Sequence, residues 1–250
     1  MDNFLINYTL HLADNSLILG QRNSEWCGHG PVLEQDIAIT NISLDLIGQA
    51  RNFYQYAAIL IGNEATEDSL AYLRKEGEFK NCLLVEQPKG DWAQTILRQF
   101  FFSQYQHLLF QQLQNSKDEQ LAAIAEKSLK EVTYHLRWSS EWVIRLGDGT
   151  DESHSRMIKA IDELWKYTDE LFEVASYELR AAGDGSGVDV SKLKEPWMNK
   201  VKEIFSEATL TIPGKTLMQT GGKEGKHSEH LDHIFTELQY MQKTYPGCDW

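Results

Sequence analysis

Five prolines in 250 residues, at positions 31, 88, 196, 213 and 246, set the strongest limit on what this chain can fold into. Proline lacks a backbone donor and clashes with the preceding turn, so it is costly inside a helix. Long stretches between these prolines carry apolar residues at steps of three and four, which is the helical period. The first runs from about Asn3 to Trp26 and places Leu5, Tyr8, Leu12 and Leu19 on one side. The second runs from Pro31 to about Gly62, with Ile39, Ile42, Leu46, Ala50, Phe53, Ala57 and Leu60 in register. Pro31 suits a first-turn position. Thirty residues of helix span about 45 Å, a length that belongs to a bundle.

The remaining segments follow the same logic. A short helix is expected over Glu67 to Arg74, then an irregular stretch interrupted by Gly77, Pro88 and Gly90. Asp91 is placed to cap a helix reaching about Gln114, and Ser116, with Glu119 three positions on, to cap the next. That helix carries Leu121, Ala125, Leu129, Val132, Leu136, Val143 and Leu146 and stops at LGDGT. One continuous helix is expected from Asp151 to Ala182, with Ile158, Ile161, Trp165, Phe172, Ala175 and Leu179 as its stripe. A short helix near Trp197 to Ala208, an extended TLTIP and a final helix after TGGKEGK complete the chain. Alternation with period two is confined to hints at LLVEQ and TLTIP, so the expected class is all-α. Two long hairpins separated by a crossover predict a ferritin-like four-helix bundle with extra helices, as one domain over residues 1–250.

Composition narrows the function. Thirty-seven acidic residues against 24 basic ones give a formal charge of −13. Binding to nucleic acid needs clustered Lys and Arg to neutralise phosphates, so it is excluded as the main role, and docking on anionic lipid with it. No run approaches the 18 apolar residues of a membrane span. The N-terminal stretch has neither the basic nor the apolar region of a signal peptide. Cys27, Cys82 and Cys248 form no CxxC and no disulfide framework, which fits a reducing, cytoplasmic setting. No GxSxG, Rossmann or complete phosphate-loop motif is present.

A bundle of this kind can carry a di-iron centre when each hairpin supplies a Glu from one helix and a Glu-x-x-His from the other. Residues at i and i+3 share a helix face, so one helix then delivers a carboxylate and an imidazole to the same metal pair. In the first hairpin Asp14 and Asp45 stand at facing positions, but Asp45 is followed at i+3 by Gly48. In the second, Glu131 is followed at i+3 by Tyr134, and His135 comes one residue late. Its partner helix offers Phe101, Gln104 and Tyr105, with no carboxylate between Asp91 and Asp118. The ligand set is degenerate, and a buried polar cluster with Arg51 and His135 as counter-groups is the expected role of the acids. The stripe Asn41, Asp45, Gly48 and Asn52 is expected to face a neighbouring helix or a partner subunit. Two further groups stand out. His227, His230 and His233 with Glu229 and Glu237 read as solvated residues on a helix's polar face. Lys223 and Lys226, in a glycine-flanked loop before a helix, are a candidate anion contact. Trp26, Trp138, Trp142 and Trp165 are expected in the core.

The stretches SEWCGHGPVLEQDIA, LDLIGQARNFYQYAA, LLVEQPKGDWAQTI, YHLRWSSEWVIRLGDGT and TGGKEGKHSEHL resemble the C-type subunits of bacterial phenylacetyl-CoA epoxidase complexes, over almost the whole chain. The resemblance implies a ferritin-like structural subunit of a multicomponent oxygenase in aerobic phenylacetate degradation. By the same resemblance this chain holds no cofactor and no catalytic residue. The di-iron centre and substrate site belong to a related A-type catalytic subunit. NADPH, flavin and iron–sulfur groups belong to a reductase, and further small subunits complete the assembly, with self-association left open. Two alternatives stand beside it. One is an independent metal-dependent oxidase or oxygenase built on Asp14, Asp45, Glu131 and His135. The other is an unrelated helical binding or storage module.

Overall fold

The computed structural model describes residues 3–246 and 248, and its regular structure among these residues is entirely helical. The first hairpin is α1 (Phe4–Ser24) with α2 (Leu33–Ile61). The crossover carries α3 (Glu67–Tyr72) and α4 (Leu83–Glu86). The second hairpin is α5 (Trp92–Leu113) with α6 (Glu119–Gly147). Then follow α7 (Asp151–Leu164), α8 (Ser176–Asp184), α9 (Lys194–Glu207), α10 (Glu229–Leu238) and α11 (Tyr240–Thr244). The hairpins meet where α2 runs beside α6, and α8 lies along α1. A single cluster of buried side chains runs from Tyr8 in α1 to Phe235 in α10.

The proline-free segments account for the long helices. In α5 almost every residue from Ala93 to Gln106 is buried, as expected of a helix enclosed on all sides. The α6 stripe is narrower, and its other face is polar and exposed. The α1–α2 turn is pinned by Asp36, whose carboxylate accepts from the Gly28 and Gly30 amides at 3.1 and 2.9 Å. Asp91 caps α5 as expected, accepting from the Gln94 amide while the Gln94 side chain returns to the Asp91 amide.

Several local expectations are corrected. Pro31 lies before the first turn of α2, because extended Val32 takes the cap position. Asp118, not Ser116, caps α6, with its carboxylate on the Leu121 amide. Ser116 instead accepts from the Asp118 amide and donates to the Ser186 carbonyl. The LLVEQ segment is the buried turn α4, and TLTIP is irregular.

The largest difference is the expected helix from Asp151 to Ala182, which breaks into α7, two 3₁₀ turns (Trp165–Tyr167 and Asp169–Phe172) and α8. Trp165, Tyr167, Thr168, Glu170, Leu171 and Phe172 are all buried, and a single helix face cannot bury so many neighbours in sequence. The Thr168 hydroxyl donates to the Trp165 carbonyl, Glu173 turns extended, and α8 starts afresh at Ser176. Leu179 lies exposed on the separate α8, and Ile158 is exposed because α7 buries Met157, Ala160, Ile161 and Leu164 instead. Of the tryptophans, Trp165 packs with Phe101, Trp197 and Phe205, and the Trp197 indole donates to the Phe101 carbonyl at 2.9 Å. Trp138, Trp142 and half-buried Trp26 surround Trp92 edge to face.

Candidate functional site

Two polar systems cross the interior. The first group holds the acids and the histidine singled out in the sequence. Asp14 projects from α1 into full burial and takes the Tyr54 hydroxyl at 2.6 Å and the Lys80 amide at 2.8 Å. Its counter-ion is Arg74, from the segment after α3, which also stacks on Phe79. The expected counter-groups, Arg51 and His135, lie elsewhere. Arg51 points outward to Glu67 at 2.7 Å. His135 Nε2 donates to Asp45 at 3.0 Å across the α2–α6 seam, and its Nδ1 finds no partner among the described residues.

Glu131 takes a third direction. Its carboxylate accepts from the Gln49 amide at 2.9 Å, and the Gln49 carbonyl accepts from Gln106 at 3.0 Å. The i, i+4 pair Glu131 and His135 therefore serves two different partners on α2, an amide and a half-exposed carboxylate. Trp138 adds a hydrogen bond to Gln35 at 3.1 Å, so the α2–α6 seam is a polar ladder. Asp14 is spent on a guanidinium and belongs to a separate network. Among the described residues no three His, Cys, Asp or Glu side chains converge on a point that could hold a metal ion. Phe101 and Tyr105 fill the facing positions on α5 as buried aromatics, Phe101 against Trp165 and Trp197, Tyr105 against Phe102 and Phe172. The donor set does not fit a carboxylate-bridged iron pair, which needs free carboxylates on four helices and imidazoles at i+3.

The second system ties the C-terminal third to the bundle, and it corrects the assignment of Lys223. That side chain is buried, and its ammonium donates to Glu178 at 3.0 Å and to the Glu173 and Leu171 carbonyls. Three donors meet protein acceptors, so nothing is left for an external anion. Lys226 alone of the pair is exposed. The glycine loop does cradle an anion, but an internal one. One oxygen of Glu170 accepts from the Gly221 and Gly222 amides at 2.8 and 2.7 Å, and the other from the Leu83 amide at 2.6 Å. Burial pushes the Glu170 carboxyl upward, and these amides and Lys223 oppose the shift. The loop needs glycine here, since a Cβ on Gly222 would meet the Asn81 carbonyl at 2.2 Å.

His227 is the other correction. Expected on a solvated face, its side chain is enclosed between the Glu86 carboxylate at 2.8 Å and the Phe79 carbonyl at 3.0 Å. Two acceptors on the two ring nitrogens require both to carry protons, so the ring is an imidazolium. Burial pulls its pKa down, but Glu86 and the carbonyl outweigh that and the net shift is upward. Glu86 also accepts from the Ser228 amide at 2.7 Å and from Asn81 at 2.8 Å. His11, near Glu178 and bonded to the Lys80 carbonyl, has its pKa lowered by burial. Sequence reasoning misses Arg74, Glu86, Glu170 and Glu178. They sit in short or irregular segments where no period announces that a charged residue points inward.

Similarity to known proteins decides the family. The family model described as "Phenylacetic acid catabolic protein" matches residues 1–250. The chain belongs to that family. Within it, the chain is 49% identical over 248 residues to the C-type subunit of the 1,2-phenylacetyl-CoA epoxidase of Escherichia coli (strain K12), covering 99% of this chain and 100% of the relative. The resemblance drawn from the five sequence stretches is thereby shown. The buried ion networks are thus features of a phenylacetic acid catabolic protein. No helix of the described residues is long and apolar enough to cross a membrane.

Proposed function

We propose that the chain is a structural, non-catalytic subunit of a phenylacetyl-CoA epoxidase, a ferritin-like bundle that pairs with the catalytic di-iron subunit in aerobic phenylacetate degradation. The observation that carries this reading is the fate of the four candidate ligands. Asp14 is neutralised by Arg74, Asp45 holds His135, and Glu131 holds Gln49. Each acid already has a partner, so recruiting them for a metal would break three interactions between elements. Three free cysteines suit a cytoplasmic setting. Iron in the catalytic subunit, electrons from an NADPH-dependent reductase with flavin and iron–sulfur groups, and further small subunits complete the proposed assembly.

Co-expression with the catalytic subunit tests it. The expected result is co-purification in a stable complex, with the solubility and phenylacetyl-CoA epoxidation of the catalytic subunit depending on this chain. A catalytic subunit equally soluble and active alone would refute the role. Stoichiometric iron in this chain purified by itself, lost on Glu131→Ala, would instead establish the independent oxygenase.

A further inference from the structure

The outward face of α2 carries exposed apolar residues interrupted by Asn41, Arg51 and Gln55, is uncovered among the described residues, and is set in an acidic field. Leu33, Ile37, Leu44, Gly48 and Ile59 follow one another at steps of four, seven, four and eleven residues, each close to whole turns of a helix, so they form one line, which Asn41, Arg51 and Gln55 share. Leu33, Leu44 and Ile59 are 72%, 61% and 76% exposed. Gly48 sits in mid-helix, and among the described residues no atom outside its own stretch of helix backbone lies within 4 Å of where a Cβ would be. An exposed glycine there weakens the helix relative to alanine and packs against no other element among the described residues. It does allow a second backbone to approach closely.

Beside this line, between α2 and α3, lies a pocket of about 260 Å³. Leu17, Ala50 and Ala71 line its floor, and Arg51, Glu67 and Asp68 its rim. That is room for a large apolar side chain to insert as an anchor. From residue 30 to residue 73 the chain has six carboxylates (Glu34, Asp36, Asp45, Glu64, Glu67 and Asp68) and one cation, Arg51, already paired with Glu67.

The geometry points to this face as the docking surface for a helix of another subunit, one that carries an apolar stripe with a bulky anchor flanked by Lys or Arg. A second copy of this chain is disfavoured, because pairing the face with itself would set carboxylates against carboxylates. A basic-flanked helix matches both the apolar line and the surrounding charge. The inference rests on the proposed function, which supplies the partner subunits, and adds the surface and the chemistry of what covers it.

The test is affinity between the full-length chain and the co-expressed remaining subunits of the epoxidase. Leu44→Glu/Ile59→Glu is compared with the wild type and with Leu217→Glu, a change at a residue 89% exposed elsewhere. All three substituted side chains are exposed, and unchanged melting curves verify folding. The expected result is at least a ten-fold weaker Kd for the double variant, a control within two-fold, and several-fold weakening of the wild type as NaCl rises. A double variant within two-fold of wild type, with the complex still forming, overturns this surface but leaves the structural role standing. No complex even for the wild type overturns both. A salt-insensitive complex, or a wild-type homodimer dissolved by the double variant, overturns the basic partner.

Discussion

A buried ammonium shows how a residue's surroundings overturn its local appearance. Lys223 looks, in sequence, like a loop lysine reaching for a phosphate, yet its nitrogen is shared by Glu178 and two carbonyls. Removing one partner of such a pair strands the other charge and costs about 3–5 kcal/mol. Lys223→Met should therefore lower the denaturation midpoint strongly, while Lys226→Ala at an exposed site should leave it nearly unchanged. Chemical denaturation of the two variants checks this. His227 adds a pH dependence whose sign follows from its raised pKa. A group whose folded pKa lies above its unfolded value stabilises fully below the unfolded value, near 6.5, and loses that contribution as pH rises through the folded value. The destabilisation caused by His227→Gln should be larger at pH 6 than at pH 9, measured as the difference in midpoints from wild type.

At the scale of elements, the glycine loop and the broken 165–175 segment are one device. Glu170 leaves the helical path, turns inward and takes the amides of Gly221, Gly222 and Leu83, joining three segments distant in sequence. Glu170→Ala should free these amides, seen as faster hydrogen exchange at Gly222 and Leu83 than at core amides of α5. This junction also marks the limit of what the sequence reveals. The hairpins α1–α2 and α5–α6 follow from proline placement and a three-to-four apolar period, both local properties. The break after Leu164 does not, because Trp165 and Phe172 obey a helical pattern and are pulled off it by contacts with α9, while Glu170 is held by the glycine loop. Within the site, the faulty spacing at Asp45–Gly48 and Glu131–Tyr134 is legible in the sequence. The reach of Arg74 back to Asp14 is not, since nothing local couples an arginine after α3 to α1. The glycine loop reads as an anion cradle and is one. Its anion is hidden from a local reading because Glu170 lies 51 residues before Gly221.

For the whole molecule, the charge of −13 is unevenly used. Asp14, Glu86, Glu170 and Glu178 face inward and are matched by Arg74, His227 and Lys223 or by backbone amides. The excess lies outside, and around α2 it borders an apolar face. The proposed structural role rests on interior acids that hold segments together and on a surface face left for a partner. The most direct measurement of that claim is phenylacetyl-CoA epoxidation by the assembled complex when this chain carries Glu131→Gln and His135→Gln, which remove the ligand-type side chains closest to an intact pair. With assembly verified by size-exclusion chromatography, the account predicts activity within about two-fold of wild type, because neither residue takes part in chemistry. A loss of activity approaching the 10²-fold or greater scale of a missing catalytic group, in a complex that still assembles, would contradict it.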